Sequence, residues 1–249
     1  MSVLIPIILF LIGILSSIFG TLVGGAAFIT IPVMTALGIP LIFAISSNAF
    51  GNIGLNLGGF NKLNQKNLIH YKTGFILSAF AFIGSVIGSS LVIHTPTVVI
   101  KSVFVIALSS ILILTFLRSK IGLNDAQSGG IRKIKLTIGG VLAFFLGSYS
   151  GFLGAGVGTF YTYGLVFIFG QSFLQSTATK KIPGLVQAIG AWLTFSLAGK
   201  MDYHVAMPLL LGMFIGSELG IYLGIRWGNR FIKKLFLTIV AILLIKFFF

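Results

Sequence analysis

Two stretches decide how this chain folds. They are GTLVGGAAFITIPVMTALGIPLIFAISSNAFGN, residues 20–52, and GFLGAGVGTFYTYGLVFIFGQSFLQSTATKKIPG, residues 151–184. Each opens on closely spaced glycines, passes through a short apolar segment and ends in a small polar patch broken by glycine or proline. In so apolar a chain, such breaks are where backbone groups leave the helical ladder and can meet a solute. The reading they support is a membrane transporter for a small anion, with its site between the two stretches.

The surroundings agree with a membrane setting. Of 249 residues, 57% are hydrophobic and only 8% are charged, and the mean hydropathy is +1.11. A soluble domain carries roughly 25% charged residues to hydrate its surface. The apolar runs are unbroken, whereas barrel strands alternate over about 10 residues, so the expected class is an all-α polytopic membrane protein. The absence of cysteine excludes disulfides, thiolate metal sites and cysteine nucleophiles. A net charge of +14 would suggest nucleic acid in a soluble protein; here the basic residues sit in loops, and positive-inside bias explains them. No nucleic-acid partner is expected. The N-terminal MSVLIPIILFLIGILSSIFG has no basic residue ahead of its apolar run and leads into more apolar sequence, so it is kept as the first span rather than read as a signal peptide.

Apolar segments fall at about 3–22, 25–39, 41–60, 74–94, 97–117, 136–153, 157–170, 182–198, 205–224 and 233–249. The second and seventh are short, rising only about 21–23 Å against a hydrocarbon core of roughly 30 Å. An offset of 132 residues sets Ile83-Gly84-Ser85 on Ile215-Gly216-Ser217, Gly88 on Gly220, Leu91 on Leu223, Tyr71 on Tyr203 and Gly38 on Gly170. Further upstream the offset becomes 131, setting Gly20 on Gly151 and Gly25 on Gly156. The expected organisation is therefore a first transmembrane repeat over 1–118, a cytoplasmic linker over 119–135 and a second repeat over 136–249. If all ten segments cross, 14 of the 17 Lys and Arg share one face. Re-entrant short segments would dilute that bias, so crossing obeys the positive-inside rule better. Five spans per repeat make the repeats inverted, with both termini outside.

Glycine pairs Gly84/Gly88, Gly216/Gly220 and Gly220/Gly224 have the small-xxx-small spacing of close helix packing. Pro32 is expected to break or kink the second segment, and Gly24 and Gly25 to loosen its start. A helix restarting near Gly184, just after Pro183, would aim free amides and a positive dipole end at a bound group. Lys180 and Lys181 have two readings, anion counter-charge or cap of a span's end, and the sequence leaves both open. Of the three acidic residues, Asp125 is in the linker and Asp202 sits beside Lys200 and His204, where a surface ion pair is expected. Glu218 is mid-span, in FIGSELGIYLG, and is a candidate for coupling, either protonated or paired with a lysine. His70 and His94 fall at span ends, and no two histidines have metal spacing, so no metal and no other cofactor is expected. There is no H-E-x-x-H, and GSYSG at 147–151 carries Tyr149 where a nucleophilic serine would stand, so no catalytic residue and no enzyme is expected.

FGTLVGGAAFITIP with ISSNAFGN and FIGSVIG, then GFLGAGVGTF with STATKKIPG and FIGSELG, together resemble the TauE/SafE sulfite exporter family, the 4-toluene sulfonate uptake permease-like (TSUP) transporters. The resemblance covers nearly the whole chain. It implies alternating-access export of sulfite, thiosulfate or an organosulfonate by a multi-pass protein of the cell's inner membrane. Carried over by position, the substrate-binding candidates are Gly24, Gly25, Ser47, Asn48 and Asn52 in the first half. In the second half they are Gly154, Gly156, Thr179, Lys180, Lys181 and Gly184. The partners are then a small anionic solute and the lipid bilayer, with a homodimer left open. The rival readings are an anion channel and a non-transporting membrane scaffold.

Overall fold

The computed structural model describes residues 4–117 and 133–248, with side chains described except at 23, 107–108, 111–117 and 227–248. The described residues are helical throughout, joined by short turns. Helix α1 (Leu4–Val23) ends where Gly24 and Gly25 take φ of 87° and 111°, a left-handed region that only glycine enters without strain. The ten-residue α2 (Ala27–Ala36) follows, then α3 (Leu41–Leu57), the short α4 (Phe60–Gln65), α5 (Tyr71–Ile93) and α6 (Thr97–Leu117). After the linker come α7 (Lys133–Phe152), a glycine break at Gly154 and Gly156, α8 (Val157–Phe169), α9 (Phe173–Thr179), α10 (Lys181–Leu197) and α11 (Tyr203–Phe248).

The polarity is that of a molecule built for lipid. Leu4, Ile7, Leu11 and Leu15 on α1, and Ile83, Ile87 and Leu91 on α5, are exposed at helical spacing, whereas Ser16, Ser17, Thr21, Ser85, Ser89 and Ser217 are buried. Among the described residues, four helical stretches are long and apolar enough to cross a bilayer: Leu4–Leu22, Tyr71–Ile93, Lys133–Phe152 and Tyr203–Arg226. A fifth is reached if α8 and the run Phe173–Leu197, which meet at a 115° bend, count as one broken span.

Two helix pairs form the frame, α1 against α11 and α5 against α7. Small residues let their backbones touch, as the glycine spacing predicts. A Cβ on Gly84 would lie 2.1 Å from the Phe144 carbonyl oxygen, and one on Gly88 1.8 Å from that of Ser148. Across the other pair, a Cβ on Gly216 would lie 2.2 Å from the Ile14 oxygen and one on Gly220 2.8 Å from that of Ile18. Helix α3 then packs on α11, and α10 on α5, with α3 and α10 also touching each other. The first helix of each half is thus clasped by the long helix of the other half.

Several local expectations need correction. Pro32 does not break α2, which runs through it; the helix is short because glycines bound it instead. The polar run QSFLQSTAT, which falls between the apolar segments 157–170 and 182–198, is helical from Phe173 on. Ser172 and Gln175 form a reciprocal capping box that starts α9, with the Gln175 amide donating to Ser172 Oγ at 3.2 Å. No helix restarts at Gly184, because α10 already begins at Lys181 and the Gly184 amide donates to the Lys180 carbonyl. The sharp bend sits earlier, where Gly170 closes α8 at a φ of 69°. The stretch between the apolar segments 205–224 and 233–249 is not the loop that the sequence suggests but helical backbone within α11. Asp202 forms no ion pair with Lys200; its carboxylate accepts the His204 amide at 2.9 Å and caps α11. The linker lies outside the described residues up to 132, and α7 begins at Lys133. Of the tenth segment, 233–249, the side chains lie outside them too.

Candidate functional site

The glycine breaks of the two halves meet each other. A Cβ on Gly24 would come within 2.2 Å of the Thr159 nitrogen and 2.5 Å of the Gly158 carbonyl carbon, so the α1–α2 turn lies directly on the start of α8. Beside this crossing is a cavity of about 50 Å³, room for a few water-sized positions. Its wall includes Gly24, Gly25, Asn52, Asn56, Ser150, Gly154, Tyr161, Lys180, Gly184 and Gln187.

Lys180 is the one charged residue among those lining residues. It sits at the α9–α10 junction, is only 6% exposed, and donates from Nζ to Thr162 Oγ1 at 3.1 Å and to the Gly158 carbonyl at 3.3 Å. These neutral acceptors take two of the three ammonium hydrogens, and among the described residues no carboxylate pairs with it. An ammonium so placed lacks a counter-charge in surroundings where burying a charge is costly.

Lys181 points elsewhere. It is 1% exposed and donates to the Leu55 carbonyl at 2.8 Å, the Gly58 carbonyl at 2.7 Å and Ser217 Oγ at 3.0 Å. Leu55 and Gly58 lie at the end of α3, where carbonyls have no partner within the helix, so the ammonium caps that end.

Of the other sequence candidates, Gly24, Gly25, Asn52, Gly154 and Gly184 join Lys180 on the cavity wall, while Ser47, Asn48, Gly156 and Thr179 do not. Asn48 Oδ1 accepts from Thr30 Oγ1 at 2.7 Å, and Thr179 Oγ1 accepts the His70 amide at 3.2 Å at the head of α5. Gly156 caps α8 at a φ of 78°, and the Ser47 hydroxyl is buried with no bonding partner among the described residues. Glu218 is paired, with Oε2 at 2.7 Å from Lys62 Nζ and Oε1 accepting the Gly59 amide at 2.7 Å, and it stands apart from the cavity wall.

Four wall residues with polar side chains escaped the sequence reading: Asn56, Ser150, Tyr161 and Gln187. Asn56 follows Asn52 by one helical turn, and its Nδ2 donates to the Asn52 carbonyl at 2.7 Å. It reaches the cavity past Gly184, where a Cβ would lie 2.5 Å from Asn56 Oδ1. Gln187, one turn beyond Gly184, has Oε1 at 3.2 Å from the Tyr161 hydroxyl. The i, i+4 and i, i+3 spacings were the available signals. The wall therefore offers one ammonium and several amide and hydroxyl groups around glycine backbone, a set suited to a compact anion.

The sequence profile described as "Sulfite exporter TauE/SafE" matches residues 9–247. The chain is 25% identical over 239 residues to the "Probable membrane transporter protein YfcA" of Escherichia coli K12, covering 96% of this chain and 88% of that protein. It is 28% identical over 228 residues to the "Probable membrane transporter protein YdhB" of Bacillus subtilis 168, covering 91% and 90%. A "Probable membrane transporter protein" of Haemophilus influenzae Rd is 24% identical over 228 residues, covering 92% and 88%. No solved structure matches the chain. With a cavity at crossed helix breaks, an apolar exterior and a family match spanning nearly its full length, the chain belongs to the TauE/SafE sulfite exporter family and is a multi-pass membrane transporter.

Proposed function

We propose that the protein exports a small anion, sulfite, thiosulfate or an organosulfonate, across the cell's inner membrane, and that Lys180 supplies the anion's counter-charge. The observation that carries this reading is the buried ammonium of Lys180, which no carboxylate among the described residues pairs with, on the cavity wall between the two glycine breaks. Transport proceeds by alternating access between two inverted five-segment repeats. The reciprocal clasping of α1 by α11 and of α7 by α5 supports that architecture, because each half presents the same helix to the other. Gly24, Gly25 and Gly154 bring backbone to the solute, and Asn52, Asn56, Ser150 and Gln187 hydrogen-bond its oxygens.

The test is uptake and counterflow in proteoliposomes with sulfite, thiosulfate and a short sulfonate. The expected result is saturable flux that Lys180→Ala lowers by roughly 10- to 100-fold. A hydrogen bond to a charged group contributes about 1.5–3 kcal/mol, and about 1.4 kcal/mol is tenfold. Wild-type flux in a folded Lys180→Ala protein would remove Lys180 from the site. Flux that never saturates would make the protein a channel, and the absence of flux with any of these anions would make it a scaffold.

A further inference from the structure

The two ends of the central α3–α10 pair are held in different ways. At the end of α3, the Lys181 ammonium is surrounded by the Leu55 and Gly58 carbonyls and Ser217 Oγ. Ser217 Oγ itself lies 2.7 Å from the Leu55 oxygen, 2.9 Å from that of Gly58 and 2.6 Å from Thr21 Oγ1. One residue on, Glu218 takes the Gly59 amide and the Lys62 ammonium, both at 2.7 Å. Within a few residues these contacts bind α10 and α11 to the α3–α4 turn.

The other half has no such set. At the 132-residue offset, Lys181, Ser217, Glu218 and Lys62 correspond to Ala49, Ser85, Val86 and Thr194. Ser85 Oγ donates to Phe82 of its own helix at 2.8 Å, and Thr194 Oγ1 to Gly190 of its own helix at 2.9 Å. That end carries rings, as the Lys62 side does at Tyr71 and Phe60, with Phe50 added. Phe50 packs on Trp192 and Tyr203 at centroid distances of 5.7 and 5.8 Å, and the Trp192 indole donates to the exposed Tyr203 hydroxyl at 3.2 Å.

We infer that Lys181, Ser217 and the Glu218–Lys62 pair form a one-sided latch that closes the cavity toward the face carrying Lys62, Lys66 and Lys72, with Lys181 as its positioning residue. Opening that face means parting α3 from α10 and α11, which breaks three charge-assisted bonds to a buried ammonium at once. Opening the other face parts ring contacts and a neutral hydrogen bond, with no buried ammonium among them. The half-exposed Glu218–Lys62 pair adds the smaller share. Lys180 and Lys181 are consecutive, so the ammonium facing the cavity and the ammonium holding the latch turn together at the α9–α10 junction. Leu55 ties the two as well, since it lines the cavity while its carbonyl accepts from Lys181. An anion that draws Lys180 toward itself therefore strains the latch. This gives the junction two arrangements, which site and gate both bias.

The latch rests on the alternating-access reading but is tested without any anion. The chain has no cysteine, so Ala188→Cys on the cavity wall is a single reporter for a small membrane-impermeant thiol reagent. Asn67→Cys, in the α4–α5 turn, reports which face of each proteoliposome is outward. The expected result is slow labelling of Ala188→Cys from the Lys62 face, accelerated at least about tenfold by Lys181→Met or Ser217→Ala and about two- to threefold by Glu218→Gln, with little change from the other face. Unchanged rates in Ser217→Ala and Glu218→Gln overturn the latch even if Lys181→Met fails to fold. An equal rise from both faces overturns it as well, because that is general loosening. Saturable flux with unchanged labelling removes the latch alone, and the expected labelling without flux removes the anion reading alone.

Discussion

The two halves place the same bonds at matched positions and then differ in one side chain. In the first, Thr30 on α2 reaches back to the Ala26 carbonyl at 3.2 Å and donates to Asn48 Oδ1 at 2.7 Å. In the second, 132 residues later, Thr162 on α8 reaches back to the Gly158 carbonyl at 2.9 Å and accepts from Lys180 Nζ at 3.1 Å. A second correspondence lies at the heads of the long helices. Tyr71 packs on Phe60 and donates to Asn64, as Tyr203 meets Trp192 and Ser196. What the difference teaches is where charge was added. The neutral Thr30–Asn48 pair is a hydrogen bond closed on itself, whereas the Thr162–Lys180 pair leaves an ammonium with bonding capacity directed at the cavity. If Lys180 holds the solute as proposed, these bonds are shared by both halves and the charge belongs to one of them.

The glycine breaks differ as much, and they offer the largest effect. Gly24 of the first break lies against the backbone of α8, with 2.2 Å from its would-be Cβ to the Thr159 nitrogen. Gly154 of the second break has its nearest neighbour, the Ser150 oxygen, at 3.1 Å. Both have positive φ. Gly24→Ala is therefore expected to abolish folded protein, since neither backbone can yield. Gly154→Ala should cost only the left-handed strain of about 1–2 kcal/mol and remain purifiable. Size-exclusion profiles of the two detergent-solubilised variants check this, and equal yields would mean that the breaks are not in contact.

The frame helices give the next effect. A Cβ at Gly88 meets the Ser148 carbonyl oxygen at 1.8 Å, while one at the matched Gly220 meets the Ile18 oxygen at 2.8 Å. Gly88→Ala must push α5 off α7, and overpacking costs of about 1–3 kcal/mol or more are expected. Gly220→Ala should fall at the low end of that range. Thermal unfolding in one detergent ranks them, and a lower Tm for Gly220→Ala would show that the α1–α11 pair is the tighter clasp.

Much of this was legible in the sequence, for physical reasons. Uninterrupted apolar runs located α1, α5 and α7 within a few residues, and glycine repeats marked the helix contacts because only glycine permits them. Helix α9 was hidden because its seven residues include Gln175, Ser176, Thr177 and Thr179, so apolarity pointed to a loop; the S-x-x-Q capping signal of Ser172 and Gln175 was present and was outweighed. The separate fates of Lys180 and Lys181 were not legible at all. Adjacent residues on a helix point about 100° apart, so one can face a cavity while its neighbour caps another helix, and only the position of α3 shows which does which. Glu218 was expected to be protonated or paired with a lysine, and that the lysine is Lys62 depends on a contact 156 residues distant in the chain.

The smallest effect probes the matched threonines. Thr162→Val keeps the shape of α8 but removes an acceptor from Lys180, leaving the Gly158 carbonyl, at 3.3 Å, as the ammonium's remaining partner. With less to hold it in place, the ammonium is expected to lose roughly three- to tenfold in saturable flux, or about 0.7–1.4 kcal/mol. Thr30→Val removes a neutral bond to Asn48, which stands outside the cavity wall. That loss belongs to stability, about 0.5–1.5 kcal/mol, and should leave the flux near wild type once corrected for folded protein. Measuring flux and Tm on both variants separates the two halves by kind of effect as well as by size. A Thr30→Val protein that loses flux as steeply as Thr162→Val, at unchanged Tm, would show that the neutral pair also reads the solute, and the assignment of chemistry to one half would be wrong.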